Sequence, residues 1–326
     1  MPGPGLSPGA DPSSGAGPSP GPGRSPAAPW RILVVVAVAL GGAIMLSACG
    51  SQAPAKARPT YYLSLGDSLA AGWQPTTAHP SGQVTAQGYA NDLWKAERAR
   101  DPGLVLVKMG CPGETTGTML HGGICHYAQG SQEDAAVAFI RRHRRSMAFV
   151  TIDIGANDVD GCAPGGKVNL KCVESGLSAI RTQVPQIMAP LRAAGGPGLR
   201  IVAMNLYDPF LAEYLLGATG KTVASLSVEL LGSVNGMLAK GFATVGAPTA
   251  SVGAAFDSTD TATTTLAGHG QVPVDVAKIC TLTWMCAPAP YGPNIHANTD
   301  GYQVIAKVLE PMVAAAARSA AGRAKA

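Results

Sequence analysis

Charge is scarce in this sequence of 326 residues: Asp, Glu, Lys and Arg make up 13%, and 24 basic against 20 acidic residues leave a formal net charge of +4. A balance so close to neutral offers no electrostatic footprint for nucleic acid, whose binding needs a basic face. The one basic cluster, Arg141-Arg142-His143-Arg144-Arg145, follows an apolar-periodic stretch and reads as a helix C-terminus, where cations meet the negative end of the dipole. Zinc-like spacing is missing too. His121, Cys125 and His126 stand close together without a second ligand pair, so no metal is expected there. Internal repeats are absent, which excludes solenoids and propellers. No linker interrupts residues 61–319, so a single domain is expected there.

Large apolar side chains are nearly missing from residues 1–31, which are rich in Pro, Gly, Ser and Ala. Such a stretch buries too little to offset chain entropy and is expected to be disordered. From Ile32 to Ala48 the composition reverses to an uncharged apolar run behind Arg24 and Arg31, the layout of a signal-peptide core. Its end, Leu46-Ser47-Ala48-Cys49, resembles the lipobox of bacterial lipoproteins, which implies cleavage before Cys49, lipidation of that Cys, and a polar lipidated tether over residues 49–60. An uncleaved membrane anchor is the alternative, because the run is at the short end of what spans a bilayer. Either way the positive flank precedes the apolar run, so residues 61–319 are expected outside the cytoplasm, held to the cell membrane or envelope.

Setting Cys49 aside leaves six of the seven cysteines, an even count that argues for disulfides outside the cytoplasm. They fall into three locally spaced pairs, Cys111–Cys125, Cys162–Cys172 and Cys280–Cys286. Each pair would close a short loop.

Short β-branched runs alternate with longer segments of helical period. Strands are expected at Tyr61–Leu65, Leu104–Lys108, Ala148–Asp153, Arg200–Met204 and Thr249–Phe256. Helices are expected at Gly88–Arg100, Gln132–Arg144, Val173–Ala194, Lys221–Val245 and Thr299–Ala317. This alternation argues for an α/β fold with a parallel sheet covered by helices. In such sheets ligands collect at the carboxyl ends of the strands, so chemistry should appear just after the strand candidates.

Gly66-Asp67-Ser68-Leu69 follows the first strand, Gly110 the second, and Gly155-Ala156-Asn157-Asp158 the third; His296 precedes the last helix. A lone Gly-Asp-Ser is ordinary turn chemistry. Four blocks in this order resemble the GDSL, or SGNH, hydrolases over most of the chain. The Gly-x-Ser-x-Gly elbow of the other large α/β hydrolase group does not occur after residue 60. The resemblance implies a three-layer α/β/α fold with a five-stranded parallel sheet, and cleavage of carboxylic esters. It also implies Ser68 as nucleophile, His296 as general base, and the Ser68 N–H, Gly110 N–H and Asn157 amide as oxyanion donors. An acetylated glycan, a lipid or a small ester would be the substrate, and the chain would act as a monomer. Acyl transfer to envelope glycans, or glycan and lipid binding without catalysis, are the alternatives.

One departure from the family pattern concerns the residue that orients the histidine. The family usually carries an Asp two or three residues before it, whereas this chain has Asn294 and Pro293. Asn294 is therefore a candidate orienter, beside a backbone carbonyl, Asp257, Asp260, Asp275 or Asp300. Asp67 and Asp158 read as backbone caps rather than catalytic acids. Trp284 and Met285 either line an acyl pocket or pack their loop.

Overall fold

The computed structural model describes residues 59–162 and 168–323, with side chains as far as residue 314. The disorder expected for residues 1–31, the signal core and lipobox of 32–48, Cys49, and the tether up to residue 58 lie outside the described residues.

Five strands form one parallel sheet: β1 (Thr60–Gly66), β4 (Leu104–Lys108), β5 (Met147–Asp153), β6 (Arg200–Met204) and β7 (Thr249–Ala250), in the order β4-β1-β5-β6-β7. Two short antiparallel pairs lie outside it, β2 (Trp73–Gln74) with β3 (Gln83–Val84), and β8 (Thr263–Leu266) with β9 (Gly270–Pro273). The fifth expected strand, Thr249–Phe256, is cut short. Only Thr249 and Ala250 pair with β6, and after Ser251 the chain turns into the single-turn helix α7 (Val252–Ala255). A side chain stops the strand there: Asn205 Oδ1 accepts the Gly253 N–H at 2.9 Å and so stands in for a sheet partner.

Successive side chains of a strand point to opposite faces, and here both faces are covered, which is why the strands read as almost continuous apolar runs. Tyr62, Phe149, Val202 and Met204 pack on one face against α2 (Tyr89–Arg98) and α9 (Thr299–Arg323) through Leu93, Tyr302, Ile305 and Leu309. Leu63, Leu65, Val150, Ile152 and Ile201 pack on the other against α4 (Gln132–His143), α5 (Leu170–Gly195) and α6 (Gly217–Ala243) through Ile140, Ile180, Leu191 and Phe242. Full burial of each such side chain contributes about 1.5–3 kcal/mol, so the two apolar layers hold the sheet between the helices. The expected three-layer α/β/α fold is observed. The arginine-rich cluster lies over the last turn of α4 and its cap, as its sequence position suggested.

The remaining short elements shape the sheet's carboxyl edge. They are α1 (Ser68–Ala71) after β1, α3 (Thr116–His121) after β4, a 3-10 segment at Pro209–Leu216 after β6, and α8 (Val274–Leu282) leading to the histidine loop. The disulfides join Cys111 to Cys125, Cys162 to Cys172 and Cys280 to Cys286, the pairing that local spacing suggested.

Candidate active site

β1 ends on Gly66 at φ 135°, where a side chain is excluded because a Cβ would lie 2.1 Å from the Asp153 carbonyl oxygen. The chain then turns into α1, and Asp67 caps it by accepting the Leu69 N–H at 2.9 Å. Ser68 is thereby fixed as the first residue of α1, with its hydroxyl donating weakly to Asp67 Oδ1 at 3.5 Å.

After β4 the N–H groups of Met109 and Cys111 donate to the Ser64 and Gly66 carbonyls at 2.9 and 3.0 Å. The Gly110 N–H between them is left out of the sheet. Gly110 packs against the back of α1, where a Cβ would come within 2.6 Å of Ala70 Cβ and of Ala71 N. The glycine is thus required by close packing under the serine.

Asn157 lies in the turn after β5 and donates one amide hydrogen to the Glu114 carbonyl at 2.9 Å, which leaves the other free. Its neighbour Asp158 reaches the start of α3, whose N-cap is Thr115, and accepts from the Thr116 N–H at 3.0 Å and from the Thr116 hydroxyl at 2.6 Å. Both Asp67 and Asp158 accept backbone N–H groups, as the sequence suggested.

The histidine loop is tied down at several points. Trp284 N–H donates to the His296 carbonyl at 3.0 Å, Asn294 N–H donates to the Trp284 carbonyl at 3.2 Å, and Tyr207 O–H donates to the Ile295 carbonyl at 2.9 Å. Within it, Asn294 Oδ1 lies 2.6 Å from His296 Nδ1 and accepts the His296 N–H at 3.1 Å. An amide oxygen only accepts, so Nδ1 carries the proton and Nε2 bears the lone pair. Burial pushes the His296 pKa down to about 4, which keeps the ring neutral. Three of the other candidate orienters are engaged elsewhere: Asp257 pairs with Lys278, Asp260 accepts the Ala262 N–H, and Asp275 accepts the Val276 N–H.

Ser68, Asn157 and His296 line one cleft at the carboxyl edge of the sheet, with Leu206, Tyr207, Phe210, Leu230, Leu231 and Val234 among its walls. Trp284 and Met285 are not among the cleft residues. Trp284 packs 5.9 Å from the Tyr291 ring, centroid to centroid, and Met285 packs on the α2/α9 face of the core.

The sequence pattern of the GDSL-like lipase/acylhydrolase family matches residues 64–304. The chain belongs to that family. An extracellular lipase from Streptomyces rimosus is similar in fold, with a TM-score of 0.51 at 18% identity over 78% of this chain and 99% of its own. A phospholipase A1 from Streptomyces albidoflavus aligns with a TM-score of 0.48 at 16% identity, again over 78% of this chain and 99% of its own. No curated protein matches the chain.

This GDSL-family hydrolase, a carboxylic-ester hydrolase by its membership, rests on supports that its short motifs do not reveal. Gln132, fully buried at the start of α4, accepts the Gly66 N–H at 2.7 Å and donates to the Gly66 carbonyl and to Glu114, both at 2.9 Å. It clamps the turn before Ser68 to the loop that carries Gly110. Asp153, the last residue of β5, accepts the Asp67 N–H at 3.2 Å and the Tyr89 hydroxyl. Burial pushes both Asp67 and Asp153 carboxyls up, Asp67 further because Asp153 lies beside it. A polar residue closing an otherwise apolar strand was the available signal for Asp153; Gln132 gave none beyond its place at a helix start.

Proposed function

We propose that this hydrolase cleaves carboxylic esters through an acyl-enzyme on Ser68, with His296 as its base. The Asn294–His296 contact carries the reading: it fixes the proton on Nδ1 and leaves the Nε2 lone pair in a cleft shared with Ser68 and Asn157. Ser68 Oγ–H gives its proton to Nε2 as the oxygen attacks the ester carbonyl. The imidazolium then returns that proton to the departing alcohol, and water repeats the sequence to release the acid. The Ser68 N–H, the unused Gly110 N–H and the free Asn157 amide hydrogen supply donors for the oxyanion. Among the described residues the Ser68 hydroxyl bonds only weakly to Asp67 and not to His296, and the Ser–His bond forms as substrate binds, when catalytic hydrogen bonds tighten. The apolar wall of Leu206, Phe210, Leu230, Leu231 and Val234 suits an acyl chain. No metal or organic cofactor enters the scheme.

The location we propose is the outer face of a bacterial cell membrane or envelope, with lipidated Cys49 as anchor, and the chain acting as a monomer. The local disulfides, which need an oxidising compartment, support it. Ser68→Ala tests the reaction: it should abolish both p-nitrophenyl acetate hydrolysis and labelling by a fluorophosphonate, while the circular dichroism spectrum stays that of the parent. Retention of turnover by this variant refutes the nucleophile.

A further inference from the structure

Besides Asp67, which caps α1, two carboxyls share the cleft with Ser68 and His296 and have no part in the scheme above. Asp208 is 2% exposed, and both of its oxygens are engaged, one by the Phe210 N–H at 3.0 Å and the other by the Ser227 hydroxyl at 2.7 Å. Asp160 is different. It lies three positions after Asn157 in the loop that follows β5, half-buried against the cleft, and among the described residues its carboxylate has neither a hydrogen-bond donor nor a cation beside it.

A carboxylate without a partner in apolar surroundings is costly unless something compensates it. The described residues that line the cleft offer no compensation, since neither Lys nor Arg is among them. Burial, with Asp208 and Asp158 nearby, pushes the Asp160 carboxyl up to about 7. The cleft's own residues thus work against the charge, and a bound cation would restore it. Tyr207 and Phe210 also line the cleft, and aromatic side chains beside a carboxylate suit an ammonium group. A neutral hydroxyl would satisfy one oxygen but leave the charge uncompensated. An anionic group would be repelled by Asp160 and Asp208 together.

We propose that Asp160 is the specificity-determining residue of a cation-accepting subsite, which receives an ammonium group carried by the ester substrate within the same cleft as Ser68. This assignment rests on the ester-hydrolase reading. Asp208, held in place by Phe210 and Ser227, adds negative potential behind Asp160 without contributing a free oxygen.

Acetylcholine and 3,3-dimethylbutyl acetate have the same shape and differ in one atom, nitrogen against carbon, so their ratio of kcat/KM isolates the charge. The chain should prefer acetylcholine by about tenfold or more, the range for a desolvated ammonium beside carboxylate and aromatic groups. In Asp160→Asn the ratio should fall to near one. Because each variant is its own reference, a general loss of folding or turnover cancels from the ratio. A parent ratio near one, or a ratio that survives Asp160→Asn, overturns the subsite. So does a stronger preference for 2-hydroxyethyl acetate over butyl acetate than for the cationic ester over its isostere, which would point to a hydroxyl. If no ester is cleaved, p-nitrophenyl acetate included, the ester-hydrolase reading fails by itself. The subsite is then decided by calorimetric titration with tetramethylammonium. Binding that weakens about tenfold in Asp160→Asn upholds it, and no binding by the parent overturns it.

Discussion

Replacing Asn294 tests how this hydrolase manages without the usual carboxylate. Its Oδ1 is 2.6 Å from His296 Nδ1, so Asn294→Asp places a carboxylate oxygen at the ring with little rearrangement. A neutral hydrogen bond is worth about 0.5–1.5 kcal/mol net and one to a charged group about 1.5–3 kcal/mol, so the imidazolium gains roughly 1–1.5 kcal/mol. Near pH 8 the resting ring is neutral and becomes cationic only in the transition state. The gain is then fully expressed there, as about a five- to tenfold rise in kcat/KM. The same interaction stabilises the resting imidazolium and moves the pKa from about 4 to near 5. The sign of the pH dependence follows. The active base is the neutral ring, so activity is lost as pH falls through the folded pKa, at about 4 in the parent and about one unit higher in the variant. Below both values the ground and transition states are equally cationic, so the variant's advantage should shrink towards one. Asn294→Ala removes the acceptor but leaves the loop held by Trp284 and Tyr207, so the loss should be about two- to tenfold. The assay is kcat/KM for p-nitrophenyl acetate between pH 4 and pH 8. An Asp variant no faster than the parent at pH 8, or an advantage constant across the range, refutes the reasoning, as does an Ala variant equal to the parent.

Asn157→Ala should lower kcat by about 10²–10³ with little change in KM, because its free amide hydrogen acts on charge that develops in the transition state; an effect confined to KM would remove it from the oxyanion site. Gly110→Ala brings a methyl within 2.6 Å of α1, so melting should show a destabilisation of about 1–3 kcal/mol, accompanied by a fall in turnover as Ser68 is displaced. A variant with unchanged melting and turnover would contradict the packing argument. Gln132→Leu leaves the buried Gly66 N–H and a buried Glu114 carboxyl oxygen without their Gln132 partner, while the Gly66 carbonyl keeps the Cys111 N–H, and should cost about 3 kcal/mol in urea unfolding, at roughly 1–3 kcal/mol per unpaired group. A loss under about 1 kcal/mol would show that the turn before Ser68 does not depend on it.

The sequence by itself determined whatever is written in local chemistry. Strand and helix periods placed the four longer sheet strands and the covering helices, since a sheet buried on both faces must be apolar throughout and its helices must turn a stripe inward. Short acids at strand-to-helix turns announced Asp67 and Asp158 as acceptors of backbone N–H groups, although only the tertiary structure gave Asp158 its partner on α3, and local spacing announced the three disulfides, because each closes a short loop. The end of β7 escaped this reading. Val252 to Phe256 is apolar enough for a strand, and Asn205, distant in sequence, draws the Gly253 N–H away from the sheet. The partner of His296 was likewise open to six candidates until the loop's bonds to Trp284 and Tyr207 brought Asn294 Oδ1 to the ring. Tertiary structure alone decided the clamp by Gln132, the meeting of Asp67 with Asp153, and the place of Asp160 in the cleft. Each depends on which side chains meet across turns and strands far apart in the chain, and that is set by packing rather than by any residue's neighbours in sequence.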